Sequence, residues 1–196
     1  MRLFVAVAVP AAVASELEAA VAPLRPSWPA LRWTGRDAWH LTLAFLGEVN
    51  EVVAVKLAHR MESAAAGHSH LALSLHGSGA FPGTDRARVL WTGVHGERDR
   101  LSGLARSVAA GARRAGAPPT DSGRRFRPHL TLARSRAPVD VRALVAELSG
   151  YAGAPWTAQE IYLIRSRPDS QPRYETLGTW PLRPPPAPRP PPQSRR

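Results

Sequence analysis

The chain has 196 residues, 44% of them hydrophobic, which is enough to bury a sizeable core in one domain or two small lobes. It has no cysteine, which excludes disulfides, a thiolate nucleophile and a Cys-based zinc site, and no run approaches the ~18 consecutive apolar residues of a membrane span. The net charge of +11 points only weakly to a polyanionic partner, because residues 181–196 hold four arginines and no acid, leaving +7 on the body.

The opening "MRLFVAVAVPAAVA" imitates a secretory signal, but its basic region is the single Arg2. Pro10 then starts an amphipathic stretch with Ser15, Glu16 and Glu18. It reads as a buried strand over 2–9 followed by a helix from Pro10 to Ala22, and the expected location is cytoplasmic. A loop through "PLRPSWPALRWTGRDA" leads to the strand that begins at His40. Asn50 is placed to cap a helix in which Val53, Leu57 and Met61 recur at i+4 before Gly67. The alternating segments 70–77 and 87–94 read as strands joined by the turn-rich "FPGTDR". A helix over 97–115 carries Leu101, Leu104 and Val108 on one face. After the basic loop "PPTDSGRRFRP" comes a second strand at His129. Residues 139–148 read as a helix, and 157–165 and 173–180 as closing strands. The pattern is α+β, in two lobes of antiparallel or mixed sheet with helices outside. Residues 183–196 form a Pro/Arg-rich tail expected to be unfolded or polyproline-like beyond a domain of 1–182.

"HLTLA" occurs twice, at 40–44 and 129–133. Each copy alternates with period two, so its leucines should face a core while His and Thr leave the opposite face together. A single H-x-T reads as an edge strand with a polar outer face. Two of them, brought to one cleft, would supply a general base and a general acid at once, because imidazole holds both protonation states near neutrality. Phosphodiester cleavage fits such a pair. The hydroxyls of Thr42 and Thr131 could donate hydrogen bonds to phosphate oxygens, and the guanidinium of Arg134 matches phosphate bidentately. Strict alternation puts Arg134 on the leucine face, so it can serve only if the strand ends or bulges near Ala133.

With these residues in view, "HLTLAFLG" (40–47) and "RPHLTLAR" (127–134) resemble the two signature motifs of the 2H phosphoesterase superfamily, and in particular its RNA 2′,3′-cyclic phosphodiesterase (2′-5′ RNA ligase-like) branch. The resemblance takes in "MRLFVAVAVP", "LRW", "ARVLWTGV" and "SRPDSQPRYETLGTWPL" as well. It implies a bilobal fold with pseudo-twofold symmetry, a central cleft holding both histidines, and hydrolysis of RNA 2′,3′-cyclic phosphate ends to 2′-phosphomonoesters without metal or other cofactor. It also implies His129 as proton acceptor and His40 as proton donor, with Thr42, Thr131 and Arg134 on the phosphate. The expected partners are RNA ends or nucleoside 2′,3′-cyclic phosphates, with no membrane and a monomeric protein. A 2′-5′ RNA ligase or 2′-5′ oligonucleotide phosphodiesterase would use the same histidines. A non-catalytic RNA-binding module would be favoured only if one motif were degraded, and both are intact.

Other candidates read more plainly. His68 and His70 form an H-x-H without further metal-ligand spacing and read as a solvated strand entry. His59, His76 and His95 stand alone, as surface or structural residues. Arg124, Arg125 and Arg127 divide evenly between a solvated loop and an RNA-backbone contact. Trp33, Phe45, Phe81 and Trp91 lie in apolar patterns and read as core, although each could stack on a base.

Overall fold

Strand β1 (Arg2–Ala8) is the centre from which the first of two antiparallel sheets is built, in a computed structural model that describes residues 1–121, 123, 125–167 and 170–184. Its neighbours are β3 (His40–Glu48) on one side and β8 (Glu160–Ser166) on the other, with β9 (Tyr174–Pro181) outermost in the order β3-β1-β8-β9. Five consecutive buried residues, Leu3 to Val7, fit a strand covered on both faces. The second sheet has the order β2-β6-β5-β4-β7, from β2 (Arg32–Trp33), β4 (Leu71–Phe81), β5 (Ala87–Gly96), β6 (His129–Val139) and β7 (Trp156–Ala158). Each HLTLA copy starts the strand that pairs with an antiparallel neighbour of its own sheet, β3 with β1 and β6 with β5. The α+β architecture in two lobes is thus present.

The helices close the apolar faces. In α2 (Glu51–Ala66) Leu57 and Met61 are buried, and the Asn50 side chain accepts a hydrogen bond from the Val53 amide at 2.9 Å, capping the first turn as its position in the sequence requires. Leu101, Leu104 and Val108 are the buried stripe of α3 (Arg98–Ala115), which ends where Gly116 takes φ +90°. These two helices pack on each other, α2 against β8 and β9, α3 against β3 and β4. None of the described helices is long and apolar enough to cross a membrane.

Of the boundaries that differ from expectation, four have a local reason. Helix α1 (Ala11–Val21) stops before Pro23, and a 3₁₀ turn over Ala22–Ser27 carries the chain on, since a proline near a helix start forfeits no hydrogen bond. The loop before the first motif contains β2, which pairs with β6. Helix α4 (Arg142–Leu148) begins three residues late, because β6 pairs as far as Val139 and Asp140 then accepts from the Arg142 amide at 3.0 Å. The single strand expected over 157–165 is two: β7 joins β4 in the second sheet, and after Gln159 β8 joins β1 in the first. At the end of the body Leu182 is buried, its amide donating to Gln159 O at 2.7 Å. Arg183, the first residue of the expected tail, exchanges backbone hydrogen bonds with His68 and His70 at 2.8 Å. Residues 185–196, the rest of that tail, lie outside the described residues, as does Arg124.

Candidate active site

The two motif strands lie against each other, so the lobes meet at the HLTLA copies. In each copy the leucines are buried, and His and Thr sit half-buried on the other face. Alternation then breaks in both strands at the same place. On β3 the pairing with β1 jumps from Thr42↔Ala6 to Ala44↔Val5, leaving Leu43 extra; on β6 it jumps from Thr131↔Trp91 to Ala133↔Leu90, leaving Leu132 extra. These are β-bulges, and each buries two residues in succession, Leu43–Ala44 and Leu132–Ala133. The residue after each buried pair therefore returns to the cleft face. On β6 that residue is Arg134, so the bulge on which its role depended is present. On β3 it is Phe45, 41% exposed rather than core.

His129 hydrogen-bonds through Nδ1 to the Arg127 carbonyl at 2.7 Å. A carbonyl only accepts, so Nδ1 carries the proton and the lone pair of the neutral ring is on Nε2. Phe81 meets this imidazole edge-to-face at 5.0 Å and Trp91 lies 6.3 Å away. Burial lowers the His129 pKa; the Arg127 carbonyl opposes this by favouring the imidazolium, and Arg134 adds to the lowering. His40 is in a drier place. It stacks on Phe4 at 4.6 Å and meets Tyr174 edge-to-face at 5.5 Å. Burial first, then the positive charge of Arg134 and of His129, lower its pKa to about 4. Arg134 thus reaches both imidazoles with its charge.

Arg134 is itself crowded by cations. Burial depresses its pKa, Tyr174 pulls the other way, and Arg173, Arg32 and Arg2 add like charge; Arg32 is its cross-strand partner. Among the described residues no carboxylate forms an ion pair with any of these four arginines. Like charges gathered without an acid repel unless an anion joins them. The arrangement is a candidate anion seat whose charge acts on both imidazoles.

The sequence reading missed the tie that holds the motifs in register. Thr34, just past β2, donates through Oγ1 to the carbonyls of Thr131 and Leu132 at 2.8 and 2.9 Å, while its amide donates to Leu132 O at 2.9 Å. The same Oγ1 accepts from Trp39 Nε1 at 3.0 Å, and Trp39 directly precedes His40. One hydroxyl therefore links the start of the first motif to the bulge of the second. Arg2, Arg32, Arg173, Tyr174 and Phe4 were also missed, because only sheet order brings them to the motifs. Phe81 and Trp91, read as core, border His129 instead. Trp33 is half-buried against the core, with the Arg25 guanidinium 5.9 Å from its ring. His68 Nε2 lies 2.9 Å from Ser107 Oγ on α3. His76 and His95 do not stand alone, their rings being stacked at 4.3 Å.

Comparison with known proteins finds a family match and relatives over most of the chain. Residues 9–170 match the model of the 2′-5′ RNA ligase superfamily. A relative from Geobacillus stearothermophilus named RNA 2′,3′-cyclic phosphodiesterase is 33% identical over 159 residues, 80% of this chain; the chain spans about half of that relative, 49%. One of the same name from Aeropyrum pernix is 34% identical over 145 residues, 72% of this chain and 80% of its own length. The crystal structure of E. coli LigT complexed with 3′-AMP is similar with a TM-score of 0.71 and 28% identity, covering 92% of this chain and 97% of that one.

Proposed function

This chain belongs to the 2′-5′ RNA ligase superfamily, and from that premise we propose that it is an RNA 2′,3′-cyclic phosphodiesterase, opening cyclic phosphate ends to 2′-phosphomonoesters by two-histidine acid–base catalysis. The observation that supports the reading is the pair of half-buried imidazoles on two motif strands that lie against each other, with the Arg134 charge acting on both. A cyclic phosphate monoanion brought to Arg134 relieves the repulsion among the arginines. It also offsets the Arg134 charge, which after burial is the next cause of the lowered His40 pKa, so the substrate shifts that pKa upward.

In the proposed reaction His129 Nε2 takes a proton from a water molecule as its oxygen attacks phosphorus. The P–O3′ bond breaks on the opposite side, and His40 delivers a proton to O3′. The Arg127 carbonyl supports His129 as the base, because its hydrogen bond to Nδ1 strengthens as the ring becomes cationic. A depressed pKa suits His40 as the acid, since such a group releases its proton readily once substrate has promoted its protonation. Thr42, Thr131 and Arg134 hold the non-bridging oxygens, where charge gathers in the transition state. Both proton transfers are made by side chains of the chain itself, so the scheme calls on no cofactor. The reading takes the protein as a monomer, because each lobe supplies one histidine of the pair.

The test is incubation of the purified protein with 2′,3′-cyclic AMP and identification of the product isomer by phosphorus NMR. Release of the 2′-phosphate is expected. Dominant 3′-phosphate would overturn the assigned roles of the two histidines, and absence of turnover on this and on cyclic-phosphate-ended RNA would overturn the activity.

A further inference from the structure

We propose that the cleft leading away from His129 over β4 and β5 seats a second nucleotide of the RNA strand, with the stacked His76–His95 pair as the platform for its base. This rests on the reading of the site as one that acts on an RNA phosphate. The cleft has a volume of about 850 Å³ and runs from His129 to the start of α3, ample for a nucleotide.

Its floor follows from strand register. Along β5 the residues facing the cleft are Trp91, Gly93 and His95, between the buried Leu90, Thr92 and Val94. On β4 a bulge at Gly77–Ser78, stapled by Thr92 Oγ1 donating to Gly77 O at 2.8 Å, puts His76, Gly79 and Phe81 on the same face. Two glycines shape this surface. A Cβ on Gly79 would overlap the Trp91 indole, and one on Gly93 would come within 2.9 Å of the His76 carbonyl. The floor thus has an aromatic end, Phe81 and Trp91 beside His129, and an imidazole end, His76 and His95. Gly93, with no side chain, lies between them.

The spacing fits one nucleotide step. His129 pairs across the strands with Gly93, and His95 is two residues farther along the same face. Two residues of strand span about 7 Å, comparable to the separation of successive phosphates along an extended single strand. The His76 and His95 rings are nearly parallel, 11° apart, and His95 is exposed, so the pair offers a flat π face. Among the described residues neither ring is hydrogen-bonded to a protein group. Histidine is among the side chains on which unstacked RNA bases settle. The walls suit a phosphate backbone: Arg125 and Arg127 line one side, the latter's guanidinium 6.0 Å from the Phe81 ring. Glu97, at the far end, is already engaged by the Ala72 amide and Arg100, and Asp99 also lines that end.

The test compares 2′,3′-cyclic AMP with a tri-adenylate ending in a 2′,3′-cyclic phosphate. Wild-type kcat/KM should favour the trinucleotide by about tenfold or more, the order supplied by stacking one base. In the double variant His76→Ala/His95→Ala that preference should vanish, with mononucleotide turnover unchanged and the circular dichroism spectrum intact. His95→Phe, which keeps a ring face, should preserve the preference. Where both substrates turn over, equal wild-type rates on the two, or an equal loss on both in the double variant, would overturn the proposal. A binding arm separates it from the activity. Fluorescence titration with 3′-AMP and with a tri-adenylate ending in a 3′-phosphate should show about tenfold tighter binding of the latter, lost in the double variant. If neither cyclic substrate turns over but this difference holds, the phosphodiesterase reading fails and the platform stands; equal binding sinks the platform.

Discussion

The two HLTLA strands carry the same side chains and the same bulge, yet one lies at the edge of its sheet and the other inside. Strand β3 has β1 on one side only, and its outer edge is met by the loop before the second motif, where the Thr120 amide donates to Phe45 O at 2.8 Å. Strand β6 is paired on both sides, by β5 and by the short β2. His40 is set among Phe4 and Tyr174, whereas His129 has a carbonyl to steady its proton. Five residues after each histidine the bulge presents Phe45 in one lobe and Arg134 in the other. Identical local letters acquire different chemistry because pKa and charge are set by neighbours from other strands.

The largest effect should come from removing either imidazole. His40→Ala and His129→Ala should each lower kcat by 10²–10⁴-fold or more, the usual range for a general acid or base, with the melting temperature held. A fully active His129→Ala would end the two-histidine scheme and leave the repeat unexplained.

The leucines beneath them should behave in the opposite way. Leu41 and Leu130 are 1% and 0% exposed, so Leu→Ala at each should cost roughly 2–5 kcal/mol in denaturant unfolding. The interior strand should suffer at least as much as the edge strand, which has more room to relax. A clearly larger loss at Leu41 would contradict the packing described for β6.

Thr34→Val tests whether the lobes are held in register by one hydroxyl. It removes the link between Trp39 and the Thr131 and Leu132 carbonyls while keeping the side-chain shape. A kcat loss of about tenfold with little change in KM is expected, since a misplacement of ~1 Å far from the chemistry can cost up to 10²-fold. Trp39→Phe, which deletes only the indole donor, should reproduce part of it. A change confined to stability would make Thr34 a packing residue only.

The smallest effect is in the pH profile. For kcat/KM the acid must be protonated and the base neutral in the free protein. His40 loses its proton as pH rises through about 4, and His129 gains one as pH falls through its lowered value. The bell should therefore peak on the acid side of pH 6.5. Its alkaline limb should move upward in kcat, where bound phosphate offsets Arg134. By NMR, His40 should titrate near 4, and higher in Arg134→Gln; titration near 6.5 in the wild type would dismiss the dry setting of His40. The same shift costs stability in acid. A histidine with a depressed folded pKa contributes fully above 6.5, and that contribution is lost as pH falls toward about 4.

What the sequence by itself determined is what local periodicity can encode. The leucine faces of both motifs, the Asn50 cap, and the buried stripes of α2 and α3 depend on residues within one or two turns of each other, and they stand as read. Two intact H-x-T copies were enough to single out His40, Thr42, His129 and Thr131 as candidates. Period-two alternation, however, cannot say which sheet a strand joins, so one run near Gln159 became two strands in different sheets. Nor can it foresee a bulge, which arises from pairing with a distant strand and turns Arg134 from the leucine face to the cleft. Arg2, Arg32 and Arg173 surround that guanidinium although they are far from it in the chain, and His76 and His95 meet only because β4 and β5 pair in one register. Those juxtapositions belong to the tertiary structure, because the free energy that selects them comes from burying the whole sheet and not from any segment of it.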